Sequence, residues 1–164
     1  MDVKLKDFII KKLPEMKFIG KEIRCKMDHP EGNPIPDFWM KCFGDGTFKV
    51  LDVPERIFKN AMIGWCGNFD SNDNTFLYIV GGFVQKTFPV PEGFTKIDIN
   101  EKDFACGTLS GKEPAIYYKA YDLTNGEAKK RNINVNSGYA IEWYDERYDP
   151  ESEEKTIDLL IPVI

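Results

Sequence analysis

Histidine is almost missing from this sequence, with His29 alone, and none of the four cysteines forms a Cys-x-x-Cys pair. Zinc centres draw on several such ligands at close spacing, so no metal site is expected, and Cys25, Cys42, Cys66 and Cys106 read as reduced thiols. His29 stands in the loop Asp28-His-Pro-Glu-Gly-Asn-Pro34, with no triad to assemble around it. Long apolar runs are missing too. Nothing approaches the ~18 residues of a membrane span, and the start, Met1-Asp-Val-Lys-Leu-Lys6, lacks a signal-peptide core. A cytoplasmic protein without membrane contact is expected. A basic face is the third absence: 22 Lys and Arg against 27 Asp and Glu give a net charge of −5, and the cations cluster only at Lys129-Lys130-Arg131. Direct nucleic-acid binding is therefore not expected.

What is present is a chain of 164 residues, 42% hydrophobic and 13% aromatic. That length suits one cored domain over residues 1–164. Residues 1–27 read as strands around a Leu13-Pro14 break, with Glu22–Met27 alternating like a half-buried strand. From Pro34 the period changes. Ile35, Phe38, Trp39, Cys42 and Phe43 mark one apolar helical face that ends at Gly44 and Gly46, and Phe48 and Leu51 suggest a further turn before Pro54. Cys42 in that stripe reads as packing.

Ala61–Cys66 and Thr75–Val84 read as a hairpin joined by a long polar loop over residues 67–74. Asp70, Asn72 and Asn74 alternate in it like calcium ligands, but an EF-hand needs Gly where Thr75 stands and Glu where Gly81 stands. Phe88–Phe94 reads as a connector. Phe104–Leu109 then answers the first strand, and the proline-started helix Glu113–Leu123 answers the first helix, its end left open by Asn125-Gly126. Ile141–Asp149 and Thr156–Val163 form a second hairpin whose Ile141-x-Trp143 echoes Ile63-x-Trp65. The pattern predicts an α+β fold of two strand-helix-strand-strand units, about 1–86 and 87–164. These would form an antiparallel sheet of pseudo-twofold symmetry with a central cleft for a small ligand.

Several ordered motifs carry a family resemblance: Pro36-Asp-Phe-Trp39, Ile63-Gly64, Tyr78-x-x-Gly81, Pro91-Glu-Gly-Phe94, Phe104-Ala-x-Gly107, Glu142-x-Tyr144-Asp-x-Arg147 and Ile161-Pro-Val163. Together they resemble the GyrI-like, or AraC-type, effector-binding domain. The resemblance implies a duplicated fold with a cleft that takes small, often cationic and aromatic molecules, the glutamate of Glu142-x-Tyr144 lying in it. It also implies relatives that carry DNA-binding helices, relatives of a gyrase inhibitor, and relatives that hydrolyse cyclopropane-bearing toxins. No helix-turn-helix module is visible here, so a regulator's DNA binding is not expected to carry across.

The residues allow a test of that implication on their own terms. Strand alternation sets Ile141 and Trp143 on one face, with Glu142 and Tyr144 on the other. If that second face lines the cleft, a carboxylate alone among rings is costly and a bound cation restores its charge; the alternative is a Glu142 that faces water and pairs with a neighbouring Lys. Trp39, Tyr117 or Tyr121 would add cation–π attraction of roughly 0.5–2 kcal/mol each. Phe43 and Trp65 complete the candidate ligand-binding set, with core packing as the alternative for both and for Trp39. The expectation is a binding module for amphipathic or cationic aromatic molecules, with no cofactor and no metal. The alternatives are a hydrolase using Glu142 and Tyr144 on an electrophile, and a protein-interaction role in which an acidic surface meets a partner protein.

Overall fold

Prolines and glycines set several of the element boundaries, among them Pro14 after β1, Pro34 before α1 and Pro114 before α3. The computed structural model describes residues 2–28 and 31–164, so His29 lies outside the described residues. In chain order the elements are β1 (Lys4–Leu13), β2 (Met16–Lys26), α1 (Ile35–Gly44), α2 (Thr47–Val50), β3 (Arg56–Ile57), β4 (Met62–Asp70), β5 (Thr75–Val84), β6 (Thr95–Ile99), β7 (Lys102–Lys112), α3 (Ala115–Lys130), β8 (Tyr139–Tyr144) and β9 (Glu154–Pro162). The pairing described within each unit is antiparallel, and with the helices this makes an α+β fold.

Contacts group the chain into two compact units: Glu15–Asn100, and the stretch up to Pro14 together with Glu101–Ile164. β1 pairs with β7, from Lys4 opposite Ser110 to Leu13 opposite Lys102, because Phe8 and Leu13 find their burial there.

In the Glu15–Asn100 unit the strand order is β4-β5-β2-β6, with β3 on β5. β5 is buried at every position, which fits its unbroken apolar sequence TFLYIVGGFV and its place between two strands. Helix α1 starts at Pro34 with a second proline in its first turn, Asp37 near its start and Lys41 near its end, and the chain leaves it through Gly46 at φ 85°. Its inner side packs Cys42, Phe38 and Trp39 on Cys25, Phe76, Tyr78 and Val80. Cys42 is thus a core thiol, raised in pKa chiefly by burial. β4 continues to Asp70 through an irregularity after Gly67, so the hairpin's loop shrinks to residues 71–74, where the Asp70 side chain accepts the Asn72 N–H at 2.9 Å. β6, absent from the sequence expectation, adds an edge strand after the Phe88–Phe94 connector.

In the other unit the order is β8-β9-β7-β1. Helix α3 runs to Lys130, beyond the expected end, and buries Ile116, Ala120, Thr124 and Ala128 at four-residue steps. The Asn125-Gly126 turn signal is overridden because Ala128 packs with Phe8 and Ala105. Gly107 makes the close approach possible: a β-carbon there would collide with the Thr124 hydroxyl.

Candidate functional site

Register decides which side chains of β8 meet the helix. Glu142 stands opposite Leu159, Leu159 opposite Gly107, and Gly107 lies under Thr124 of α3. Glu142 therefore shares the α3 side of the sheet, while Ile141 (0% exposed) and Trp143 (4%) turn to the other side. The Tyr144 hydroxyl donates to Glu142 Oε1 at 3.0 Å, so the two residues meet on one face. Tyr144 is buried and Glu142 half-buried.

A second carboxylate terminates this array. The Tyr148 ring stands edge-on to Tyr144, with centroids 5.2 Å apart and planes at 86°. The Tyr148 hydroxyl donates to Glu113 Oε1 at 2.8 Å, and the Tyr117 hydroxyl donates to the same oxygen at 2.6 Å. The two hydroxyls lie 2.8 Å apart. Three close contacts among one carboxylate oxygen and two hydroxyls share two hydroxyl protons, so the cluster favours an ionised Glu113 as common acceptor. The titration directions agree. Hydrogen bonds from Tyr117 and Tyr148 hold the Glu113 carboxyl below the usual range. Burial, then the bond to Glu113, pushes the Tyr117 phenol up. Burial also raises Tyr148. A cavity of about 250 Å³ adjoins this end, lined by Lys112, Glu113, Ser152, Glu153 and Lys155.

The opposite side of the same strands carries a different cluster. Asp158, 5% exposed, accepts from Arg147 at 2.6 Å and from the Thr108 hydroxyl at 2.7 Å, and Arg147 also grips Asp145 through two nitrogens at 2.8 and 2.9 Å. These bonds raise Arg147 further; at Asp145 burial pulls the pKa up but the Arg147 bonds win and lower it. The Lys11 ammonium sits 3.8 Å over the Trp143 ring.

Of the other candidates, Tyr121 is half-buried one turn beyond Tyr117 and, among the described residues, takes no part in the hydrogen-bonded array. Trp39 belongs to the Glu15–Asn100 unit, where its indole N–H donates to the Tyr78 hydroxyl at 2.9 Å. Its ring stacks on Phe48 at 6.2 Å, and Phe48 stacks on Phe43 at 5.3 Å. Phe43 is 50% exposed. Trp65 pairs with Ile79, whereas the neighbouring Cys66–Tyr78 pair packs against α1, so Trp65 faces the side away from Trp39 and is buried. Glu113, Tyr148, Tyr78 and Phe48 are not among the site residues expected from the sequence. The four-residue spacing of Glu113 and Tyr117 was the available signal for the first. Among the described residues no group of three His, Cys, Asp or Glu side chains is arranged to hold a metal, and no helix is long and apolar enough to cross a membrane.

The chain resembles known proteins in sequence and in fold. Residues 9–163 match the sequence pattern of a family described as integron-associated effector binding protein. Over 92 residues the chain is 30% identical to the transcriptional regulator BrlR of Pseudomonas aeruginosa, covering 54% of this chain and 33% of BrlR, so it spans about a third of that relative's length. Among solved structures, SAV2435 bound to tetraphenylphosphonium superposes with a TM-score of 0.72 at 17% identity, covering 96% of this chain and 94% of that one. An integron cassette protein from the mobile metagenome of Vibrio cholerae gives 0.63 at 15% identity, with all of both chains covered.

Proposed function

The chain belongs to the family of integron-associated effector-binding proteins, and from there we propose that it binds lipophilic, cationic aromatic molecules with Glu142 as the anchor. The observation that carries this is the half-buried Glu142 carboxylate, held by the Tyr144 hydroxyl beside a second aromatic ring, Tyr148. Such a group is partly stripped of water and pre-oriented. A flat or propeller-shaped cation regains for it the charge compensation that water no longer supplies, and the tyrosine faces add cation–π attraction of roughly 0.5–2 kcal/mol each. Neutral molecules of the same shape gain only the apolar contact. The tetraphenylphosphonium carried by the structural neighbour SAV2435 supports this choice of ligand class.

The same order of strand, helix, strand and strand occurs in each unit, β2-α1-β4-β5 and β7-α3-β8-β9, allowing for α2 and β3 in the first. This supports a duplicated frame in which Gly64 occupies in one copy the place that Glu142 holds in the other. The anchor would then be a specialisation of one copy. Cytoplasmic action fits the thiols, none of which is disulfide-bonded.

Calorimetric titration with tetraphenylphosphonium, on the unaltered protein and on Glu142→Gln, tests the proposal. Loss of the charge should weaken binding at least tenfold, about 1.4 kcal/mol, and leave the affinity for neutral triphenylphosphine oxide within about twofold. Equal affinity of the two proteins for the cation would remove Glu142 from the site.

A further inference from the structure

The residues between β8 and β9 form a tip that leads from Tyr144 back to Asp158. Part of its order is internal: the Tyr148 N–H bonds Asp145 O at 2.9 Å, the Ser152 N–H bonds Asp149 O at 3.1 Å, and the Asp149 side chain accepts the Glu151 N–H at 2.9 Å. Lys155, only 6% exposed, gives its ammonium to the carbonyls of Asp149 and Pro150 at 3.0 and 2.7 Å and passes 5.4 Å from the Tyr148 ring. None of these bonds fixes where the Tyr148 side chain points. That is done from outside the tip by Glu113, in the turn before α3, which accepts the Tyr148 hydroxyl and is itself braced by Tyr117. The Tyr148 ring then stands edge-on to Tyr144, whose hydroxyl reaches Glu142.

We infer that Glu113 is a positioning residue for the binding carboxylate: through Tyr148 it fixes the Tyr144 ring, and thereby the hydroxyl that orients Glu142. The chemistry suits the task. An ionised carboxylate is the strongest acceptor available to a phenol, and one oxygen shared by two phenols locks the helix start and the hairpin tip together. A free hairpin tip would let Tyr148 sample its rotamers and leave Tyr144 without its ring neighbour. The effect on ligand affinity rests on the proposed function, whereas the effect on Tyr144 does not.

The experiment keeps the two apart. The whole protein is labelled with 3-fluorotyrosine, and the Tyr144 fluorine resonance among the seven tyrosines is assigned as the one lost in Tyr144→Phe. Tyr148→Phe keeps the ring and removes only the hydroxyl bond; Glu113→Ala removes the acceptor; Glu113→Gln retains an acceptor oxygen. The first two should shift or broaden the Tyr144 resonance, and Glu113→Gln should restore most of its position. Affinity for tetraphenylphosphonium should fall about fivefold in Tyr148→Phe and Glu113→Ala. Adding either change to Glu142→Gln should cost less than about 1.5-fold more, since both act through that carboxylate. A Tyr144 resonance unmoved in both variants overturns the inference whatever the ligand does. Full additivity with Glu142→Gln also overturns it, reducing Glu113 to a fold-stabilising contact. If Glu142→Gln itself leaves the affinity unchanged, the function fails and the Tyr144 resonance alone decides the positioning role.

Discussion

On the α1 side of the Glu15–Asn100 unit, the sheet presents rings and thiols, Tyr78, Phe76, Cys25 and Cys66, to Trp39 of the helix, whose indole N–H donates to the Tyr78 hydroxyl. On the α3 side of the other unit, β8 presents Glu142 and Tyr144, and the array leads through Tyr148 to Glu113. One unit fills its helix-side face with packing, and the other keeps charge there. The comparison separates what a frame needs from what a site needs. Burying rings is enough to hold a helix on a sheet. Holding carboxylates half out of water requires partners for each of them.

The largest effect is expected where the Glu15–Asn100 unit is tightest. Gly20 and Gly81 face each other across β2 and β5, and a β-carbon on Gly81 would stand inside contact distance of the Ile19 carbonyl and the Gly20 α-carbon. Backbone cannot step aside as a side chain can, so Gly81→Ala should lose about 3 kcal/mol in urea unfolding. In the other unit, Arg147→Gln should cost about 2 kcal/mol, because the buried Asp158 keeps Thr108 but loses its counter-charge. A loss below about 0.5 kcal/mol would mean that the tip reorganises to supply another cation. Gly107→Ala should cost about 1 kcal/mol, less than Gly81→Ala, since it meets a side chain, and Thr124→Ala should recover most of that loss in the double variant.

The smallest effect is in pH dependence. Hydrogen bonds from Tyr117 and Tyr148 hold the folded-state pKa of Glu113 below its ordinary value of 4.5, so its contribution to stability is present above that value. It fades as pH falls through the depressed folded-state pKa. The difference in melting temperature between the unaltered protein and Glu113→Gln should therefore be widest near neutrality and close in acid. A difference that grows on acidification would reverse the assignment of Glu113 as acceptor.

Period and punctuation made much of this molecule readable from residues alone. The five-residue apolar stripe of α1, the paired hairpins and the alternation that sets Glu142 beside Tyr144 all follow from patterns within a few residues of one another. What stayed hidden depends on contacts far apart in sequence. Helix α3 runs through Gly126 only because Ala128 lies against Phe8 and Ala105. β4 swallows half of a polar loop because its partner strand continues alongside. Glu113 gains its role from Tyr148, thirty-five residues away. Strand parity turns Trp65 to the side of the sheet away from α1 and its Trp39, which local composition could not reveal.

The pairing of β1 with β7 also sets an order for synthesis. All residues of the Glu15–Asn100 unit lie between these two strands, so that unit can close while the ribosome is still at work, whereas β1 has no partner until Lys102–Lys112 emerges. At roughly 5–20 residues per second the wait is on the order of ten seconds. During it, Ile9 and Ile10 ride on an unpaired strand flanked by lysines at positions 4, 6, 11 and 12. Lysines on a strand that awaits its partner are the kind of charge that discourages edge-to-edge association until the pairing strand is made.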